Sequence, residues 1–163
     1  MNSFKKRLVA YFSHSGNTRE IARQIQEATG ADAFEIVPVD PYPTDYNAVV
    51  AQAKQELRKD DRPVLKSNGP DLRTYDLIFL GSPNWWGTIV PPVKTFLSAH
   101  DLSGKTIVPF ITHDGSGLEK SVQDVESLSP GATVLEGRPF WGRDATSARD
   151  DVRTWLRDID LLK

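Results

Sequence analysis

Three short stretches carry residue types that suit the binding of a small ligand. The first is Ser13-His14-Ser15-Gly16-Asn17-Thr18, which runs straight into a helical pattern. A helix start leaves its first N–H groups without intrahelical partners, and the helix dipole adds partial positive charge there. Three hydroxyls and a glycine at that point make a hollow suited to a phosphate. The loop holds no lysine, so dipoles would do most of the neutralising. The plainer alternative is an ordinary cap, with Asn17 or Thr18 accepting from the first turn.

The second stretch is Gly81-Ser82-Pro83-Asn84-Trp85-Trp86-Gly87-Thr88, followed by Pro91-Pro92. Two indoles in a Pro- and Gly-rich loop are costly to leave in water, so at least one is expected to wall a flat aromatic ligand. Otherwise one packs beneath the loop and the other is exposed. The third stretch, Thr112-His113-Asp114-Gly115-Ser116-Gly117, is polar and rich in backbone donors. It suits the edge of a heterocycle, or an ordinary turn.

Several chemistries are excluded. Cysteine is absent, which removes disulfides, Fe–S clusters, thiolate zinc sites and cysteine nucleophiles. Three scattered histidines make no metal site. There is no Gly-x4-Gly-Lys-Ser/Thr loop, no Gly-x-Gly-x-x-Gly and no Gly-x-Ser-x-Gly elbow, so P-loop nucleotidase, dinucleotide-fold and hydrolase readings fall. No acidic cluster ends the first strand, against a phospho-accepting receiver domain. With 20 Lys+Arg against 22 Asp+Glu the net charge is −2, which argues against a nucleic-acid binder.

These loops need a scaffold, and the rest of the chain describes one. At 163 residues, 39% hydrophobic and 26% charged, a single globular domain over residues 1–163 is expected. Short apolar runs recur: Leu8–Phe12, Ala33–Val37, Leu77–Leu80, Thr106–Ile111 and a weak Thr133–Leu135. They mostly do not alternate, as befits strands covered on both faces. Pro109 removes one ladder donor from the fourth run. Helical stripes lie between them: Ile21/Ala22/Ile25/Ala28 with Gly30 as stop, Tyr46/Val49/Val50/Ala53/Leu57, Val93/Phe96/Leu97 after the prolines, Leu118/Ser121/Val122/Val125, and Val152/Trp155/Leu156/Ile159/Leu162. The alternation predicts an open parallel sheet with helices on both faces, and ligands then bind beyond the carboxyl ends of the strands, where all three loops fall. The polar stretch 60–71 is expected to be a surface loop. No apolar run reaches the ~20 residues of a membrane span. Lys5-Lys6-Arg7 precedes an apolar run too short for a signal peptide. No membrane partner and a cytoplasmic location are expected.

A phosphate hollow, an aromatic wall and a polar loop on one sheet edge suit a flavin mononucleotide. The chain here resembles the flavodoxin family, from about Leu8 to about Leu161, most specifically in SHSGNT and GSPNWWG; Pro41-Tyr42-Pro43-Thr44-Asp45-Tyr46 looks like a subgroup of small flavodoxin-like proteins. The resemblance implies a three-layer α/β fold, a five-stranded parallel sheet in order 2-1-3-4-5, and non-covalent FMN. It implies that Ser13, His14, Ser15, Gly16, Asn17 and Thr18 wrap the phosphate. Ser82, Pro83, Asn84, Trp85, Trp86 and Gly87 would line the isoalloxazine, with Trp85 stacking on it. Thr112, His113, Asp114, Gly115, Ser116 and Gly117 would contact its pyrimidine edge and second face.

Two departures stand out. The last loop has no Tyr, Phe or Trp to cover the second ring face; His113 is its only ring, and Trp141 is a candidate cover unless it is buried under the last helix. Shuttle flavodoxins are usually strongly acidic, whereas a charge of −2 steers partners weakly. His14 is expected at the surface by the phosphate, His113 as a turn residue or a donor to a substrate, and His100 without a role. N–H groups around Gly87 would tune the one-electron step, and Asp114 would disfavour an anionic reduced ring. The expected function is electron transfer between redox partner proteins, favoured because no segment is added for a nicotinamide or substrate pocket. The alternatives are a small FMN-dependent NAD(P)H or quinone oxidoreductase acting on a small electron acceptor, and a flavin-free interaction module.

Overall fold

The computed structural model describes residues 6–163; Lys5, weighed above as part of a signal peptide, lies outside the described residues. The strands are β1 (Arg7–Tyr11), β2 (Asp32–Glu35), β3 (Leu77–Pro83), β4 (Thr106–His113), β5 (Thr133–Val134) and β6 (Arg138–Trp141). The helices are α1 (Asn17–Thr29), α2 (Tyr46–Lys59), α3 (Pro91–Ser98), α4 (Ser121–Leu128) and α5 (Arg149–Asp158). The sheet runs β2-β1-β3-β4-β5 and every strand pairing is parallel.

Residues alternate across the sheet. Leu8, Ala10, Ile78, Leu80, Ile107 and Ile111 pack with Val49 of α2, Val93 and Phe96 of α3, and Val125 of α4. Val9, Leu77, Phe79, Val108 and Phe110 pack with Ile21 and Ile25 of α1 and Val152 and Leu156 of α5. Both faces are therefore buried, which is why the central strands read as unbroken apolar runs. Gly30 adopts the left-handed conformation that ends α1, and its N–H bonds to Gln26 O at 2.8 Å.

The expected fifth strand is in two pieces. β5 pairs Thr133 and Val134 with Thr106 and Ile107, while β6 pairs Arg138 to Trp141 with Phe110 to His113. The Leu135 N–H still reaches Ile107 O at 2.9 Å. The next rung of a parallel ladder would run from the N–H of residue 109 to Leu135 O, and Pro109 has none. The edge strand breaks there and resumes after Gly137 (φ +88°), where an added Cβ would stand 3.0 Å from Val122 and 3.4 Å from Pro109.

Other boundaries differ from expectation. β3 extends through Pro83 and β4 through His113, so Thr112 and His113 are strand ends rather than loop residues. Leu118 precedes α4, and Ile159 and Leu162 follow α5. Tyr46, expected in the buried stripe of α2, is 76% exposed. The loop 60–71 is pinned by a bridge between Leu65 and Pro38. Among the described residues, no helix is long and apolar enough to cross a membrane, and no cluster of three His, Asp or Glu forms a metal site.

Candidate functional site

The β1–α1 loop is shaped by its own first hydroxyl. Ser13 Oγ accepts from the N–H groups of Gly16 at 3.1 Å and Arg19 at 3.2 Å. Gly16 stands at the helix N-cap with φ +100° and has no side chain to cap α1, so Ser13 Oγ takes the Arg19 N–H from outside the helix. The ordinary-cap alternative is thus corrected: neither Asn17 nor Thr18 is the cap, because both already lie in the first turn. Thr18 Oγ1 is 2.7 Å from Thr112 Oγ1, so this buried pair ties the loop to the end of β4. Arg19 leaves the loop for an ion pair with Glu35 at 2.6 Å. The His14 Nε2–H donates to Pro43 O at 2.9 Å, which fixes that nitrogen as the protonated one.

The β3–α3 loop is a tight turn. Trp85 and Thr88 exchange backbone hydrogen bonds at 3.0 and 3.3 Å. Between them Trp86 (φ +56°) and Gly87 (φ +88°) are both left-handed, as a type I′ turn requires. Asn84 locks this turn to the β4–α4 loop. Its Oδ1 accepts the Gly87 N–H at 2.9 Å, and its Nδ2 donates to Gly117 O at 2.8 Å and Ser116 Oγ at 3.2 Å. The Gly87 N–H, expected to be available to a ligand, is therefore engaged. Ser82 is fully buried: its hydroxyl donates to Pro83 O and accepts from the Val90 N–H.

Trp85 is held edge-on by three rings, Tyr42 at 5.0 Å, Phe12 at 5.6 Å and His14 at 5.7 Å between centroids. Trp86 is 55% exposed; its Nε1–H donates to Val50 O of α2 at 3.0 Å, and Lys54 lies 5.3 Å from its ring. One indole is therefore packed and the other turned outward.

These elements enclose a cleft of about 470 Å³ at the carboxyl edge of the sheet. It brings together His14, Ser15 and Asn17 from the first loop, Pro83, Asn84, Trp85 and Trp86 from the second, and Thr112, His113, Asp114 and Ser116 from the third. Ser13, Gly16, Thr18, Ser82, Gly87, Gly115 and Gly117 do not line it; the bonds above show Ser13, Thr18 and Ser82 bracing the loops around it. Among the described residues, no Lys or Arg lines the cleft.

Other lining residues were missed: Thr44, Tyr46, Val49, Val50, Ala53 and Gly142. The α2 stripe signalled burial and gave no sign that part of it opens on the cleft. Gly142 follows β6, and a Cβ there would meet Asn17 Nδ2 at 2.6 Å and Asp114 Oδ1 at 3.5 Å. Trp141, beside it, is 40% exposed, which corrects the reading of burial under the last helix. Its ring lies 5.0 Å from His113, with the Arg143 guanidinium 4.1 Å from its centre.

A family model described as Flavodoxin matches residues 6–159. Among solved structures, a candidate flavoprotein from Bacteroides eggerthii is 34% identical, with 95% of this chain and 98% of that chain covered and a TM-score of 0.83. A second from Bacteroides uniformis is 31% identical, covering 93% and 97%, also at 0.83. A flavoprotein from Lactobacillus acidophilus in complex with FMN is 26% identical, covering 88% and 97%, at 0.73. No curated protein matches.

Proposed function

The chain belongs to the flavodoxin family, and from that premise we propose that it transfers electrons through FMN held non-covalently in the cleft between the three loops. The observation that carries this is a helix start with two free N–H groups, those of Asn17 and Thr18, opening on the same cleft as Trp85. α1 begins at Gly16, which has no side chain to cap it; Ser13 Oγ takes the Arg19 N–H, and the N–H groups of Asn17 and Thr18 are left for an anion, with Ser15 and Asn17 lining the cleft beside them. With no cation on the wall, the phosphate is neutralised by the helix dipole and by N–H and hydroxyl donors.

The residues fit the group. Gly142 has no side chain where one would displace Asn17. Trp85 is set in position by Phe12 and Tyr42, which suits a stacking wall. When bound, FMN supplies the one-electron and hydride chemistry. The chain's part is to hold and orient: Ser13 and Gly16 shape the phosphate loop, Thr18 and Thr112 brace it against β4, and Asn84 keeps the tryptophan turn in register with Gly117. His113, Asp114 and Ser116 present polar groups to the heterocycle. Redox partner proteins are the proposed donors and acceptors.

Adding FMN to the purified protein should quench flavin fluorescence with a one-to-one end point, and Trp85→Ala should weaken binding roughly tenfold or more, since stacking against an aromatic is worth about 1–3 kcal/mol. FMN that keeps its full fluorescence would refute the proposal.

A second reading, a small oxidoreductase, is favoured by one observation. The cleft continues past the loops to Val49, Val50 and Ala53 of α2, an apolar surface that suits a small planar acceptor. Stopped-flow mixing of the loaded protein with NADPH separates the two: rapid bleaching without a reductase rules out a pure carrier.

A further inference from the structure

His113 ends β4, lines the cleft and is only 9% exposed. Its Nδ1 accepts the Gly115 N–H at 2.9 Å. An accepting ring nitrogen carries no proton, so the neutral imidazole is protonated at Nε2. Burial holds the group below the ordinary histidine range, against a raising effect of the adjacent Asp114. Among the described residues, nothing accepts from that Nε2–H. The ring is mostly buried, but its Nε2 is not sealed from solvent, so this N–H is open to an acceptor on a ligand in the cleft.

The ring is also held in place. Trp141 packs on it at 5.0 Å, with the planes 48° apart. Arg143 sits 4.1 Å from the indole centre and fixes Trp141 in turn. Gly115 serves both contacts: it gives the N–H to Nδ1, and a Cβ on it would stand 3.3 Å from the indole. Its φ of +132° excludes other residues at little cost. β6 exists to bring Trp141 here, since it pairs with β4 up to the His113–Trp141 rung.

We propose that His113 is a fixed side-chain donor from the β4 wall to an acceptor atom on the flavin ring, with Trp141 and Gly115 as its positioning residues. The inference rests on the FMN reading above and adds what the polar loop does with its one ring. The imidazole takes the place of an aromatic cover on this wall and contributes a directed hydrogen bond.

The test is imidazole NMR on the whole chain, with FMN and then riboflavin as probes. Both carry the ring, and riboflavin lacks the phosphate. On adding FMN the His113 Nε2–H proton should move downfield and exchange more slowly with water, and riboflavin at saturating concentration should do the same. His113→Phe should raise the FMN dissociation constant about tenfold. His113→Gln keeps an N–H donor, should recover part of that loss, and guards against a variant that fails to fold. Trp141→Ala should broaden the Nε2–H signal before any ligand is added. If FMN binds but the signal stays where it was, or His113→Phe binds as tightly as the wild type, the His113 assignment is wrong while the FMN reading stands. If FMN does not bind the wild type, both fall.

Discussion

Asn84 and Gly142 matter for opposite reasons, one for the bonds it makes and the other for the atom it lacks. Asn84 joins two loops through three good hydrogen bonds, to Gly87, Gly117 and Ser116. Asn84→Ala leaves the Gly87 N–H and the Gly117 carbonyl without partners, which costs about 1–3 kcal/mol. Urea unfolding should show that loss, and FMN should bind more weakly. Asn84→Asp should do no better: it keeps the acceptor but loses the Nδ2 bonds to Gly117 O, Ser116 Oγ and Glu119 Oε1, and brings a second carboxylate beside Glu119. Gly142→Ala should separate stability from binding. The atom it meets is the far end of a flexible side chain, Asn17 Nδ2. The urea midpoint should therefore stay close to that of the wild type while FMN affinity falls. A variant that binds FMN normally would show that Asn17 has no part in holding the tail. Much at this scale was hidden from the sequence. Type I′ turns usually announce themselves with Asn-Gly, and here the first left-handed residue is Trp86. Thr18 and Thr112 looked like ligand groups, yet they bond to each other across 94 residues of chain.

Strands and helices were more legible, because burial on two faces writes itself into composition. Five apolar runs and five stripes marked β1 to β5 and each α-helix, and the order β2-β1-β3-β4-β5 agrees with what the resemblance implied. The errors fall where chain geometry overrides pattern. β4 runs on through Thr112 and His113, since a polar residue at a strand end still completes a ladder facing a cleft. β6 was missed because Arg138-Pro139-Phe140-Trp141 alternates poorly and sits on an edge, where Pro139 is tolerated. Pro109 was the usable signal, since it shows where the edge ladder has to stop. Gly81 makes a similar point about close packing. It lies between Tyr11 and Phe110 in register, and a Cβ there would overlap the Phe110 ring. Gly81→Ala should cost about 1–3 kcal/mol by overpacking, read as a lower urea midpoint. An unchanged midpoint would mean that Phe110 has room to move.

At the scale of the whole molecule, two buried phenols tie the β2 edge to the rest. Tyr75, just before β3, donates to Asp32 Oδ2 at the start of β2 at 2.7 Å. Tyr42, in the β2–α2 connection, donates to Glu56 Oε1 of α2 at 2.6 Å and packs under Trp85. Burial first, and then the carboxylate partner, pushes Tyr75 up to about 12 and raises Tyr42 as well. In the unfolded chain both ionise near 10. Between those values the folded protein keeps protons that the unfolded chain has released, so stability falls as pH rises. The contribution is whole below pH 10 and is lost as pH climbs through 12. The urea midpoint should therefore hold level up to about pH 10 and then drop. Tyr75→Phe removes one of the phenols raised by burial, so it should start lower at pH 8, because Asp32 loses its donor, and then decline less steeply than the wild type. The difference in slope between the two proteins reads the Tyr75 phenol. If the two midpoints fall in parallel from pH 10 to 12, the Tyr75–Asp32 bond does not couple folding to that proton.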